Sequence, residues 1–451
     1  MNVYKFDRSY GSSVESMKRA AQLIADRTPK IVVFSASKET VIHLERIAAC
    51  FFTRDIDQAH EEITKLEFSF ANFANNLITN DTIKQQAITY ILDHFHCIWN
   101  YTKNSFTSSD EKEIVAQGEL ISSALLSFYL QEQEINNVLL SAFDFMRVGI
   151  DGKTEIEYME QKLNEQFNKH KNQSLFITQG GICRNVYDEA DLFRQGEGDY
   201  TASLIGACIE AKEIRIWQDD SKTNAADTHI TGDAHAMNQL SFEEAEYLSL
   251  FSTQILNPLY IAPARAKGIP VRLLHSLETA EEGIVISNHQ ENSGIKAIAD
   301  KDGVIYIKFE SNHALRPYLF ISKILETFAK YQLSFCTLTS SSSNVSVAID
   351  NKESLSHTLS ELARYAYIKV EDKMSIISVV GNMKWQHTGL ETKILNALKE
   401  IPLRMISYGS NNTNLSLVIK DSDKKKALQS LNQSLFVHTA ILGSCYQSLQ
   451  V

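Results

Sequence analysis

Short apolar, β-branched runs alternate with helical patterns through the first 275 residues, and this alternation restricts the possible folds more than any other feature of the chain. "KIVVFSAS", "NVLLSAFDF", "SLFITQGG", "EIRIWQDD" and "IPVRLLHS" read as buried strands. Between them, Val14, Met17, Ala21 and Ile24 recur at helical spacing, as do Ile121, Ala124, Leu125 and Phe128. Strands connected through helices pair in parallel, and a parallel sheet needs helices over both faces. The expectation is an α/β fold, an αβα sandwich with a largely parallel sheet. Residues from about 52 to 113 show no strand pattern and read as a helical insertion.

After about residue 290 the texture changes. Two segments share the order strand, helix, strand, strand, helix. The first is "GVIYIKFES", "YLFISKILETFAKYQ", "LSFCTLTSSSSNVSVAID" and "ESLSHTLSELARYA"; the second is "KMSIISVVGNM", "LETKILNALKEI", "PLRMISYGSNNTNLSLVIK" and "DKKKALQSLNQSLF". This is an internal repeat of about 70 to 80 residues, ferredoxin-like and α+β in type. Small tandem modules suit ligand sensing and pairing, because two of them can trap a small molecule at their seam.

Composition removes several classes. A chain of 451 residues exceeds one ordinary core and predicts several domains. No apolar run reaches the roughly 18 residues needed to span a bilayer. The opening "MNVYKFDRSYG" lacks a basic-then-apolar secretory layout, so a cytoplasmic location is expected. A net charge of −11 argues against a general nucleic-acid binder and in favour of a small-molecule ligand. Six cysteines without a C-x-x-C pair fit reduced thiols, mostly in cores. No metal site is expected: His94 and His96 in "DHFHC" fall on different helix faces, and His229, His235, Asp227 and Asp233 read as a solvated loop.

The N-terminal run "VYKFDRSYGSSVESMKRAAQLI" places Lys5 at the end of a strand, before a turn and a helix. That layout holds phosphates, since a helix N-terminus offers free N–H groups and a positive dipole end. Asp7 and Arg8 occupy the turn where a phosphate cradle would use glycines.

Ten motifs in one order carry a resemblance: the N-terminal run, "VVFSASKET", "GELISSALLSFYL", "SAFDFMRV", "FITQGG", "GEGDYTASLIGA", "IWQDD", "QLSFEEAEYLSLFSTQILNP", "IAPARAKGIPVRLL" and "RMISYGSNNTNLSLVI". In that order they resemble the aspartate kinases (aspartokinases), an amino-acid-kinase domain followed by two ACT domains. The resemblance implies a catalytic domain over 1–288, a first ACT domain over 292–372 completed by 434–451, and a second over 373–433. It also implies transfer of the γ-phosphoryl group of Mg-ATP to the β-carboxylate of L-aspartate, the first step of lysine, threonine and methionine biosynthesis. An amino-acid effector at the ACT domains and a homodimer belong to the same expectation.

Carried over residue by residue, Lys5 matches the lysine that contacts the transferring phosphate, and Asp199 the aspartate of the substrate pocket. Glu119 matches the carboxylate that takes the substrate α-amino group, and Thr40 keeps one hydroxyl of a threonine pair whose other member is Val41. Gln195 stands where an arginine clamps the α-carboxylate, with Arg194 one residue earlier, and Gly198 stands where the family has serine. On the nucleotide side, Trp217, Gln218 and Asp219 match a Trp-Thr-Asp motif, His229 replaces a phosphate-facing arginine, and Gln254 replaces a lysine. Arg8 is placed to offset the charge of Asp7 at the phosphates. A glutamine cannot supply a charged fork, so activity is expected to be weak or altered. One alternative is a catalytically inactive homologue acting as a regulatory or amino-acid-sensing subunit. Another keeps phosphoryl transfer with a changed acceptor.

Overall fold

The computed structural model describes residues 1–26, 28–101, 106–193, 197–218, 230–232, 238–251, 259–275, 283–288, 294–384, 386–409 and 411–436. It forms two compact units, Met1–Thr223 with Leu256–Asn288, and Asn224–Ile255 with His289–Val451.

Unit one alternates strands and helices: β1 (Asn2–Phe6), α1 (Val14–Ile24), β2 (Lys30–Phe34), α2 (Lys38–Thr53), α3 (Ile56–Leu77), α4 (Asp81–Asn100), α5 (Ser108–Glu132), β3 (Val138–Leu139), α6 (Ile156–Lys169), β4 (Leu175–Gln179), the hairpin β5 (Ile182–Arg184) and β6 (Ala190–Leu192), α7 (Glu197–Cys208) and β7 (Ile214–Gln218). The chain then supplies β8 (Ile230–Gly232), β9 (Gln239–Ser241) and α8 (Phe242–Leu248) to unit two. It returns with α9 (Ala262–Lys267), β10 (Val271–His275) and β11 (Ile284–Ser287). Within unit one the strand order is β3-β4-β2-β1-β7-β10-β11. All neighbours pair in parallel except β10 with β11.

Strand periodicity divides β1 between two faces. Tyr4 and Phe6 join Val32, Phe34 and Trp217 in a core covered by α1 to α5, while Lys5 turns toward the side of α7. The region read as an insertion contains α3 and α4, which pack on each other and on α2 and α5. This cover explains why α5 has no solvent-exposed face from Ile114 to Ser127, every residue of that stretch being buried. The expected strand "NVLLSAFDF" pairs only at Val138–Leu139. Beyond it, the Ala142 N–H donates to Gln179 Oε1 at 2.8 Å rather than to a ladder partner, and the chain turns away as a short 3₁₀ helix.

Unit two is an antiparallel sheet with helices. Its elements are β12 (Ile295–Ser311), α10 (Pro317–Lys330), β13 (Thr337–Ser340), β14 (Asn344–Ile349), α11 (Leu355–Leu362), β15 (Ala366–Gly381), α12 (Leu390–Ala397), β16 (Met405–Ser407), β17 (Asn414–Lys420) and α13 (Asp421–Leu435). The long strands β12 and β15 pair along their length and break register together, where Gly303 (φ 70°) and Lys373 (φ 58°) take left-handed conformations. Past the break they serve different cores. Ile305, Ile307 and Phe309 pack with Phe320, Ile324 and Phe328; Ile298 packs with Ile377, Val379, Ile394 and Leu417.

These observations revise the expected boundaries. The expected division at 372/373 lies at the register break of β15, with Ala366 and Ile368 in one core and Ile377 and Val379 in the other, whereas Ile298, expected in the first module, fills the core of the second. Asn224–Ile255 leaves the first unit because β8 pairs with β12 and Glu244 binds Lys296. Ser434 and Leu435 end α13, and residues 437–451, expected to complete the first module, lie outside the described residues.

The Lys296–Glu244 pair is buried, at 2% and 1% side-chain exposure with 2.9 Å between the charged atoms. Lys296 Nζ also donates to the Gln239 carbonyl at 2.7 Å, and Glu244 closes a capping box with Ser241. Removing one partner strands a buried charge. Lys296→Ala is expected to lower unfolding free energy by about 3–5 kcal/mol, read by denaturant titration; a loss below about 1 kcal/mol would show the pair to be dispensable.

Candidate active site

The order of strands reverses at β1, which lies between β2 and β7. In open parallel sheets, ligands bind outside the carboxyl ends of the strands at such a switch point. The registers Lys5↔Val33, Lys5↔Ile216 and Phe34↔Gln179 bring the ends of β1, β2, β4 and β7 to one edge. Lys5 stands at that edge, next to last in its strand.

Lys5 is 7% exposed, and its Nζ lies 2.6 Å from Oδ1 of Asp199 in the first turn of α7. A carboxylate in that turn is also favoured by the helix dipole. The backbone comes very close here. A Cβ on Gly198 would stand 2.9 Å from Lys5 Cε and 3.1 Å from Ser35 Oγ, and one on Gly180 would stand 2.5 Å from the same Oγ. The atoms nearest a Cβ at position 198 are the movable ends of Lys5 and Ser35, so a serine there would require those side chains to shift.

Glu119, on α5, is 3% exposed. Its Oε2 accepts the Ala36 N–H at 2.8 Å, and its Oε1 lies 3.7 Å from Arg8 Nη2. Arg8 was expected to offset Asp7 toward a phosphate; instead it faces Glu119. Asp7 turns back on its own backbone, accepting the Arg8 N–H at 2.9 Å and capping the 3₁₀ turn Arg8–Gly11. Burial pushes the Glu119 carboxyl up from its ordinary value near 4.5 to about 7, with Arg8, the Ala36 N–H and Lys5 pulling the other way.

Thr40 sits in the first turn of α2, where its N–H donates to Oγ of the N-cap Ser37 at 3.1 Å. It lines a cavity of about 420 Å³ with Ser37, His43, Phe70 and Ser122. Tyr200, one residue after Asp199, faces a second cavity of about 550 Å³ and meets Thr154 at 3.2 Å. The expected nucleotide contact through the side chain of Trp217 is corrected: it is fully buried and stacks on Phe6 with ring centroids 4.8 Å apart. Its carbonyl accepts the Asp7 N–H at 2.9 Å, tying the β1 turn to the end of β7, where Gln218 is half-buried. Arg194, Gln195, Asp219, His229 and Gln254 lie outside the described residues.

Three participants were not singled out in the sequence. Ser35, Ala36 and Gly180 follow directly on the ends of β2 and β4, and their signal was position, at the carboxyl ends of adjacent parallel strands.

Comparison with known proteins agrees with this architecture. The amino acid kinase family is matched over residues 2–275, and an ACT domain over 377–435. The chain belongs to the amino acid kinase family, and the presence of an ACT domain together with its relatives places it among the aspartokinases. It is 23% identical to the lysine-sensitive aspartokinase 3 of Escherichia coli over 96% of this chain and 99% of that one. It is 26% identical to the chloroplastic aspartokinase 3 of Arabidopsis thaliana over 96% and 81%. Among solved structures, the aspartate kinase of Clostridium acetobutylicum superposes with a TM-score of 0.80 at 19% identity, covering 96% of this chain and 99% of that one. E. coli aspartokinase III in complex with lysine and aspartate gives 0.77 at 22%, covering 97% and 99%.

A carboxyl that titrates near 4.5 unfolded and about 7 folded binds its proton more tightly in the folded chain. Its contribution is full below pH 4.5 and is lost as pH rises through 7. The stability advantage of wild type over Glu119→Gln is therefore expected to fall by about 3 kcal/mol between pH 4.5 and 8, measured by urea unfolding at each pH. A pH-independent difference would show that Glu119 titrates normally.

Proposed function

We propose that this chain performs aspartate-kinase-type chemistry, transferring the γ-phosphoryl group of Mg-ATP to a carboxylate, with activity weak or altered relative to its relatives. The supporting observation is Lys5, held by Asp199 at the switch point of the sheet, 2.6 Å from its carboxylate. Phosphoryl transfer asks the protein mainly for positioning and charge neutralisation. A carboxylate oxygen of the acceptor attacks the γ-phosphorus, the bond to the β–γ bridging oxygen breaks, and ADP leaves with that electron pair. Lys5 stabilises the equatorial oxygens of the transferring group, and Asp199 orients Lys5. Asp199, Glu119, Thr40 and Gly198 border the acceptor, with Arg194 and Gln195 assigned to its carboxylate. Gln218, Asp219, His229 and Gln254 are assigned to the nucleotide.

The relative crystallised with aspartate and ADP, E. coli aspartokinase III, supports the nucleotide and the acid acceptor by likeness. The relative crystallised with lysine supports an amino-acid effector at the ACT unit. Pairing of two chains, as ACT modules do, and a cytoplasmic place in lysine, threonine and methionine biosynthesis complete the proposal. Among the described residues, no helix is long and apolar enough to cross a membrane. The alternative, a regulatory subunit without catalysis, draws on the mutual neutralisation of Lys5 with Asp199 and Arg8 with Glu119.

Lys5→Ala is expected to lower acyl-phosphate formation, trapped as hydroxamate, by about 10²–10³-fold with an unchanged circular-dichroism spectrum. Acyl phosphate formed equally fast by wild type and variant would remove Lys5 from the chemistry. No acyl phosphate from wild type with any carboxylic acid would favour the regulatory reading.

A further inference from the structure

We infer that the cavity among helices α1, α2, α3 and α5 is a binding site for an apolar α-amino acid, separate from the phosphoryl-transfer edge and from the ACT domain. The site stands whether or not the chain transfers phosphoryl groups.

The cavity of about 420 Å³ lies within unit one and has the size of small-molecule sites, roughly 300–1,000 Å³. None of Lys5, Glu119 and Asp199 lines it. Lys5 turns toward α7, whereas this space opens in the helical layer on the other face of the sheet, beside the core that Tyr4 and Phe6 enter. Of the residues assigned to the acceptor, Thr40 alone reaches it among the described residues.

The floor is apolar. Met17, Leu66, Phe70 and Leu125 are buried in it, and Phe73 packs against the same core. Helix α5 adds one hydroxyl to this floor. Ser122 is 3% exposed, lines the cavity, and has no hydrogen-bond partner among the described residues. Its neighbours on α5 differ: Ser123 donates to the Leu120 carbonyl at 3.0 Å and accepts from Gln179 at 2.7 Å, and Ser127 donates to Asn137 Oδ1 at 2.6 Å. Buried polar groups are normally hydrogen-bonded, so a buried hydroxyl open to an apolar cavity points to a ligand that supplies its partner. Gly118, one turn earlier on the same face of α5, is where the helix comes close to Thr40; a Cβ there would stand 3.1 Å from Thr40 Cγ2. Ser122 is thus on the face of α5 that meets the first turn of α2.

That turn carries the polar groups of the mouth. Ser37 caps α2, and its hydroxyl lies 3.0 Å from that of Thr40. The positive end of this 16-residue helix favours an anion, while Glu39 in the same turn supplies a carboxylate. His43, the one basic residue of the described lining, is engaged by Glu62, with 2.7 Å between Nε2 and Oε2. A phosphate or a dicarboxylate would bring two charges to an apolar floor without a free cation to meet them. A zwitterion with a hydrocarbon side chain matches every wall: its ammonium meets Glu39, its carboxylate meets the helix end and the Ser122 hydroxyl, and its side chain covers Leu66 and Phe70.

The test is calorimetric titration of the full chain, without nucleotide, with L-valine, L-leucine and L-phenylalanine, and with the decarboxylated and deaminated analogue of each. At least one amino acid is expected to bind one-to-one, at least ten-fold more tightly than either of its own analogues. Ser69 is exposed at the mouth, so Ser69→Trp closes the cavity without entering the core and should abolish this binding with an unchanged circular-dichroism spectrum. Ser122→Ala should weaken it about five-fold. No binding of any amino acid at about 20 mM, an analogue bound as tightly as its amino acid, or an affinity unmoved in Ser122→Ala would overturn the inference. Binding that survives in Ser69→Trp would place the amino acid elsewhere, the ACT domain included, and would overturn it too. Acyl-phosphate formation tests the phosphoryl-transfer reading separately, and its failure leaves each of these outcomes as it stands.

Discussion

An ammonium group on a central strand of a parallel sheet cannot stay buried without a carboxylate beside it. Lys5 meets that requirement through Asp199, and much of unit one is arranged around the meeting. Helix α7 has to begin at the edge of the sheet to deliver Asp199. Gly198 leaves room for the Lys5 Cε and Ser35 Oγ, and Gly180 for the Ser35 Oγ and the Gly198 Cα. The parallel registers of β1 with β2 and β7 then set the height of Lys5 relative to every other strand end. On the proposed phosphoryl-transfer reading, a phosphate arriving at this edge would meet a cation already oriented, the electrostatic preorganisation such a transfer requires.

Unit two meets a different constraint. Two small α/β modules each need a core, and they share the long strands that supply both. The chain solves this with β12 and β15, two long strands that break register together at Gly303 and Lys373 and present one half to each module. The buried pairing of Lys296 with Glu244 ties the returning segment Asn224–Ile255 into the same body.

The strand–helix alternation, the repeat, and the positions of Lys5, Glu119 and Asp199 were all legible in the sequence, because period and motif order are local properties. What was not legible is what depends on a partner distant in the chain. Arg8 has the charge to hold a phosphate, yet its partner Glu119 is 111 positions away, so its direction was set by tertiary packing rather than by the turn. Trp217 looked like a ligand contact because it stands in a nucleotide motif, but alternation in β7 turns it into the core beside Phe6. The polar run from Lys369 to Lys373 marks where β15 passes from one core to the other, but Ile298 gives no local sign that it packs with the second core rather than the first. Ser35, Ala36 and Gly180 are small residues without chemistry of their own, and only the sheet's topology brings them to the site.

The central claim is that the edge of the sheet at β1 and α7 remains a nucleotide-phosphate site built on Lys5, although neighbouring contacts have been replaced. Calorimetric titration of wild type and Lys5→Met with Mg-ATP, without any acceptor, tests it directly. The account predicts saturable one-to-one binding by wild type that weakens by at least ten-fold in the variant. Equal affinity in both proteins, or no binding by wild type at several millimolar ATP, would contradict it.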